Sequence, residues 1–180
     1  MSDRSAASAR FYIIPDEAAA RVAADVLHEH GFHLEYADET PLGELAEVGV
    51  NYWVDELCLG YPEEMAKALE TVENEDGEER PSGLAFEISQ DPKYEFDGYI
   101  VMVDPELGRY DGLANGETNA YVLASQIDSI IDSTDTSIIA RYGDDHPPKW
   151  TIKELIEKLN DLTGRPWRDK FAAMRKEQES

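Results

Sequence analysis

Cysteine is almost missing from this 180-residue chain, with Cys58 the only one. That excludes an internal disulfide and any zinc site built on several thiolates. Long apolar runs are missing as well. The N-terminal region offers only Phe11–Ile14, shorter than a signal-peptide core, and no later run exceeds the five residues of Tyr99–Val103, far below a membrane span. A cytoplasmic protein is therefore expected. Lysine is scarce, with seven residues against 39 Asp and Glu. Neither a Gly-x-x-x-x-Gly-Lys phosphate loop nor a Gly-x-Ser-x-Gly nucleophile elbow occurs, so two common routes to catalysis lack their motif.

What remains is a chain able to fold on its own. The 42% hydrophobic content, with nine Tyr, five Phe and three Trp, argues against wholesale disorder. A domain of this length buries roughly 70% of its unfolded surface and needs no metal or disulfide to hold a core. The formal net charge is −23, unevenly spread: residues 1–15 sum to +1, residues 146–180 to +2, and residues 16–145 carry −26. The middle of the chain should repel nucleic acid and anionic lipid and attract basic partners. Direct nucleic-acid binding and membrane association are not expected.

The order of elements follows from periodicity and punctuation. A flexible start, 1–10, precedes a short strand, Phe11–Ile14, closed by Pro15. A helix beginning near Asp16 has Ala19, Val22, Ala23, Val26 and Leu27 on one face, and Gly31 ends it. Phe32, Leu34 and Tyr36 alternate as a strand, and Val48, Val50, Tyr52 and Val54 as the next. Pro62 opens a second helix with Met65, Leu69 and Val72 inward. Residues 77–83 read as an exposed loop. Strands are expected at Leu84–Ile88 and within Tyr94–Val103, then a glycine-marked loop (Gly108, Gly112, Gly116), a helix over 118–132, a short strand over Ser137–Arg141 and a turn over Gly143–Pro148. Two short helices close the chain. The first is capped by Thr151-x-x-Glu154 and stopped by Gly164 and Pro166; the second has the stripe Trp167, Phe171 and Met174.

The fold class is thus α+β, a mainly antiparallel sheet in ferredoxin-like βαβ-βαβ order covered by helices, plus a C-terminal helical hairpin. The domain reading is 1–10 as flexible N-terminus, 11–145 as an acidic α+β domain, and 146–180 as a hairpin packed on it or appended to it. The segment ARFYIIPDEAAARVAADVLHEHGFHLEY, Ala9–Tyr36, resembles the opening βαβ of the B-type regulators of ribonuclease E. Members of that family are acidic inhibitors, and the likeness lies mostly in the Ala-rich helix.

Several groups invite a chemical reading. His28, His30 and His33 lie near Asp25 and Glu29, but a spacing of two and then three across Gly31 makes the rings diverge rather than converge on a metal. Asp25/Glu29 and Asp128/Asp132 have the i,i+4 spacing of a di-metal bundle without its Glu-x-x-His partners. Gly143-Asp144-Asp145-His146 reads as a polar turn. In Asn74–Glu79 a calcium loop with Gly77 at position six would start on Val72, which cannot ligate, and a loop starting at Asp111 would end on Val122. Cys58, between Leu57 and Leu59, reads as a buried structural thiol. The basic and aromatic tail, from Lys149 and Trp150 to Arg175 and Lys176, reads mainly as solvated helix faces. No catalytic residue, metal ligand or cofactor is expected.

The acidic stretch Glu63–Glu79 carries the functional expectation, with eight carboxylates against Lys67. B-DNA presents one charge per ~1.7 Å, so 26 charges at that density span about 44 Å, comparable to the diameter, on the order of 40 Å, of a domain with a radius of gyration near ~16 Å. Acidic side chains concentrated on one side would rival a duplex in charge density. The expected partner-binding residues are Glu63, Glu64, Glu70, Glu73, Glu75, Asp76, Glu78 and Glu79. The expected function is an acidic inhibitor that mimics nucleic acid and occupies the DNA- or RNA-binding surface of a basic partner, of the anti-restriction or anti-CRISPR type, phage- or plasmid-borne. The alternatives are an immunity-type or regulatory binding module without mimicry, a halophilic domain whose acidity serves solvation, and an enzyme with polar groups converging in a pocket. A homodimer is left open.

Overall fold

The computed structural model describes residues 4–34, 42–73, 76–93, 97–114 and 152–180. Their order is β1 (Arg4–Ile13), α1 (Glu17–Glu29), β2 (His33–Leu34), β3 (Asn51–Cys58), α2 (Tyr61–Ala68), β4 (Thr71–Glu73), β5 (Glu79–Pro81), β6 (Ala85–Gln90), β7 (Gly98–Asp104), β8 (Gly108–Ala114), α3 (Ile152–Thr163) and α4 (Arg165–Gln178). The architecture is α+β. One sheet has the order β2-β3-β1-β6-β7-β8 with every neighbouring pair antiparallel, and β4 and β5 form a separate antiparallel pair.

Local chemistry explains α1 at both ends. The Asp16 carboxylate accepts from the Ala19 amide at 2.9 Å and caps the first turn. At the other end Gly31 sits at φ 74°, its amide donating to the His28 carbonyl while Phe32 N–H reaches the Leu27 carbonyl at 2.9 Å, which closes a Schellman motif. The buried face of α1 is mostly alanine, and Ala19, Ala23 and Ala24 share a core cluster with Ala7 and Ala9 of β1. Small side chains on both surfaces let helix and strand approach closely.

Alternation along the strands gives the sheet two faces. Phe11, Tyr52, Phe86, Ile88 and Val101 join α1 and the α2 residues Met65 and Ala66 in the main core, whose large side chains each stabilise by about 1.5–3 kcal/mol on burial. The opposite face carries Tyr12, Ala85, Ile100, Met102 and Tyr110, covered by Phe171 of α4 with Trp167 and Met174 beside it. Tyr110 donates to the Leu162 carbonyl of α3 at 2.7 Å, and Trp167 Nε1 donates to the Gly108 carbonyl at 2.9 Å. Helices therefore cover parts of both faces.

Several expectations change. Arg4–Arg10 is the greater part of β1, between β3 and β6, rather than a flexible start. Val48 lies exposed in a turn, and β3 begins at Asn51 and runs through Cys58. Gly108 and Gly112 belong to a strand rather than a loop. The second helix ends at Ala68, so Val72 reaches the core from β4, and the loop expected over 77–83 contains β5. Tyr36, Tyr94, Gly116, the helix over 118–132, the strand over Ser137–Arg141, the turn with Asp144 and His146, and Thr151 lie outside the described residues.

Candidate functional site

The acidic stretch is built on three elements, α2, β4 and β5, rather than on a helix running into an exposed loop. Gly60, at φ 89°, and Pro62 start α2, which presents Glu63, Glu64 and Lys67 outward while Met65 and Ala66 are fully buried. Leu69 closes the helix into the core, and Glu70 follows in an exposed turn. Val72 then anchors β4, and Ser82 N–H donates to the Glu70 carbonyl at 2.8 Å, closing the base of the β4–β5 hairpin. Glu73, Asp76, Glu78 and Glu79 stand exposed on that hairpin, and Glu75 lies outside the described residues. Glu70 and Glu73 thus leave the helix face on which sequence periodicity placed them.

Two relationships distinguish these carboxylates. Glu70 accepts from Arg109 Nη1 at 3.1 Å, and the same guanidinium grips Asp111. Glu70 therefore has local compensation that the sequence did not reveal. Hydrogen bonds that Arg109 donates to the Asp111 carboxylate, set against partial burial, raise its affinity for its proton above the ordinary value. Glu73 and Glu79 show the reverse: they are direct partners in the β4–β5 register, both exposed. Directly opposed side chains have Cβ atoms about 4.5–5.5 Å apart, and like charges there destabilise. Glu63, Glu64, Glu73, Asp76, Glu78 and Glu79 form no ion pair among the described residues.

The hairpin lies beside α1, whose Val22 packs near Val72 and Glu79 in a shared groove. Asp16 pairs with Arg80 of β5, and Glu17 with Arg21 at 2.8 Å. The Ala19 amide, helped by Arg80, holds the Asp16 carboxyl below the usual carboxylate range. Across this helical layer, α1 with its cap and α2 with the hairpin, eleven exposed carboxylates face three cations, Arg21, Lys67 and Arg80. On the other side of the sheet α4 carries five cations, Arg165, Arg168, Lys170, Arg175 and Lys176, against Asp169 and Glu177. Exposed carboxylates are not confined to the helical layer: among the described residues Glu44, Glu47, Asp55, Glu56, Asp97, Glu106, Glu157 and Asp161 also stand exposed outside it, and the exposed Glu179 follows α4.

The basic helix is also partly spent inside the molecule, where solvated faces were expected. Lys170 Nζ donates to Asp104 and Glu106 at 2.8 Å each, and Arg175 donates to Glu87 at 2.6 Å and to the Tyr12 hydroxyl. Burial, reinforced by Glu87, pushes the Tyr12 phenol above its ordinary value.

The remaining candidates separate. His28 Nε2 lies 3.3 Å from the Gly43 carbonyl, His33 Nδ1 lies 3.3 Å from the Leu34 carbonyl, and the His30 ring meets Tyr61 edge-on. Among the described residues no three His, Cys, Asp or Glu side chains converge on one point. Cys58 is half-buried at the end of β3 rather than enclosed. No helix among the described residues is long and apolar enough to cross a membrane. Compared with protein families, with curated proteins and with solved structures, the chain matches none.

Proposed function

We propose that this protein is an acidic inhibitor that mimics nucleic acid and occupies the DNA- or RNA-binding surface of a basic partner, as anti-restriction and anti-CRISPR proteins do as a class. The observation that carries this reading is the charge imbalance of the layer formed by α1, α2 and the hairpin, with eleven exposed carboxylates against three cations. The Glu73–Glu79 opposition adds support, because a destabilising like-charge pair held in regular structure suggests that its field is used. The recognition surface is then Glu63, Glu64, Glu73, Asp76, Glu78 and Glu79, with Glu70 partly neutralised by Arg109.

We read the first half as ferredoxin-like. The spatial order β2-β3-β1-β6, with α1 between β1 and β2 and α2 between β3 and β6, supports that arrangement, and β7 and β8 extend the sheet beyond it. Fold class alone would not supply the function.

The test compares the wild type with a variant carrying Glu63→Lys, Glu64→Lys, Glu73→Lys and Asp76→Lys in a pull-down from the source cell's lysate. Recovery of nucleic-acid-binding proteins by the wild type, lost with a variant whose circular dichroism is unchanged, supports the proposal. Equal recovery by both proteins contradicts it.

A further inference from the structure

A cavity of about 500 Å³ lies between the second face of the sheet and α4, bounded by β1, β3, β6 and β7 below and by the helix above. Its volume falls within the range of small-molecule sites, about 300–1,000 Å³. The electrostatics of its floor are unusual. Arg10 is only 8% exposed, yet its hydrogen bonds go to neutral amides, Nη1 to Asn51 Oδ1 at 3.0 Å and Nη2 to Gln178 Oε1 at 3.4 Å. The nearest carboxylate oxygen, on the exposed Glu179, is 3.8 Å away, and the Nε–H of Arg10 has no partner. A buried guanidinium whose one ion-pair partner among the described residues is a mostly exposed carboxylate is only weakly compensated.

The charges that line the cavity leave a positive balance, Arg10, Arg168 and Arg175 against Glu87 and Glu179. Glu87 lies opposite Arg10 in the β1–β6 register but is engaged by Arg175, and Arg168 adds a third cation to the lining. Ser8 and Ser89 are also direct partners, with their hydroxyls 2.9 Å apart. One hydroxyl donates to the other, which leaves the acceptor's own hydrogen to donate elsewhere. Ile100, Met102 and Phe171 give the same cavity an apolar wall. A planar fork of donors next to a hydroxyl donor suits the oxygens of a carboxylate or phosphate. The chain's overall −23 opposes an approaching anion only from a distance, because at physiological salt charges are screened beyond about 8 Å.

We propose that this cavity binds a small organic oxyanion, with its charged oxygens on Arg10 and the Ser8–Ser89 pair and its apolar part against Ile100, Met102 and Phe171. The cavity lies across the sheet from the acidic layer, so the two proposals stand or fall separately. The experiment is a titration of the full chain, ¹⁵N-labelled, with phenyl phosphate and separately with benzoate, followed by amide chemical shifts. Expected are saturable shifts centred on Ser8, Arg10, Ser89 and Ala172 with at least one probe; the tighter probe identifies phosphate or carboxylate as the natural head group. Arg10→Gln should weaken binding by about tenfold or more, the loss of one charge-assisted contact. Ala172→Glu, on the exposed rim and outside the core, should weaken it similarly and decides the matter where Arg10→Gln fails to fold. No saturation with either probe up to about 10 mM, shifts scattered over the surface, or variants that titrate like the wild type overturn the proposal.

Discussion

The rings of Tyr12 and Phe171 stack with centroids 4.3 Å apart and planes 20° from parallel, joining the first strand to the last helix across 159 positions of sequence. Phe171 is 1% exposed, and Tyr110, Met102 and Ile100 surround the pair in one cluster. The apolar part of the sheet's second face is therefore covered by the C-terminal helix rather than by residues of the sheet itself.

Phe171→Ala should accordingly destabilise the whole protein by about 3–5 kcal/mol, the usual effect of removing a buried aromatic ring. Urea unfolding followed by tryptophan fluorescence and circular dichroism should show one transition at lower urea. A separate early transition confined to the helices, or a loss below about 1 kcal/mol, would mean that α4 rests on the sheet without sharing its core.

Exchanging one member of the opposed Glu73–Glu79 pair should stabilise the protein. Glu79→Lys converts a repulsive cross-strand pair into an attractive one, worth about 0.2–1 kcal/mol. The urea midpoint should rise at low salt, and the gain should shrink as salt is added. A fall in midpoint would show that these carboxylates do not repel, and would remove the argument that their placement has a cost.

Gly164 links α3 to α4 at φ 61°, and a Cβ there would lie 2.5 Å from the Tyr110 ring. Backbone conformation and lack of space act together. Gly164→Ala should cost about 1–3 kcal/mol, read as a lower urea midpoint. An unchanged midpoint would show that the helical hairpin can shift away from Tyr110 at no cost.

Acid should weaken the attachment of α4 through Asp104. Burial pushes this carboxyl up, but Lys170 and the amides of Glu106 and Leu107, at 2.8–3.0 Å, outweigh it and hold the group below the usual carboxylate range. With a folded-state value below the unfolded one, the stabilisation is present above about pH 4 and is lost as the pH falls through the folded value. Asp104→Asn should lower stability at neutral pH and flatten its decline between about pH 4 and pH 2. The melting temperature across that range is the measurement, and an unchanged acid slope would assign the decline to other carboxylates.

The parts of the fold legible in the sequence were those set by local signals. Helix α1 can be read almost to the residue, because Asp16 and Gly31 each meet a backbone requirement that few other residues satisfy. The Trp167–Phe171–Met174 stripe is equally plain. The stretch Arg4–Arg10 of β1 is not, because RSAASAR has no apolar alternation: Ala7 and Ala9 join the core with α1, and Ser8 and Arg10 line the cavity. Strand β8 was hidden by Gly112, whose missing side chain leaves room for the Tyr110 ring beside it. The acidic stretch was visible as composition, but its geometry was not. The β-branched Thr71 and Val72 turn the chain from helix into hairpin, and the Arg109 that neutralises Glu70 comes from a strand 39 residues away. The Arg10 cavity draws on four strands and the last helix, and no single window of sequence contains it.

The proposed mimicry is tested most directly by competition. A nucleic-acid-binding partner captured from lysate by the wild-type protein is challenged with duplex DNA across a salt series. The account predicts that duplex DNA releases the partner and that affinity falls steeply with rising salt, as it does for proteins that neutralise several phosphates. A partner that stays bound under saturating duplex DNA, with affinity insensitive to salt, would contradict it.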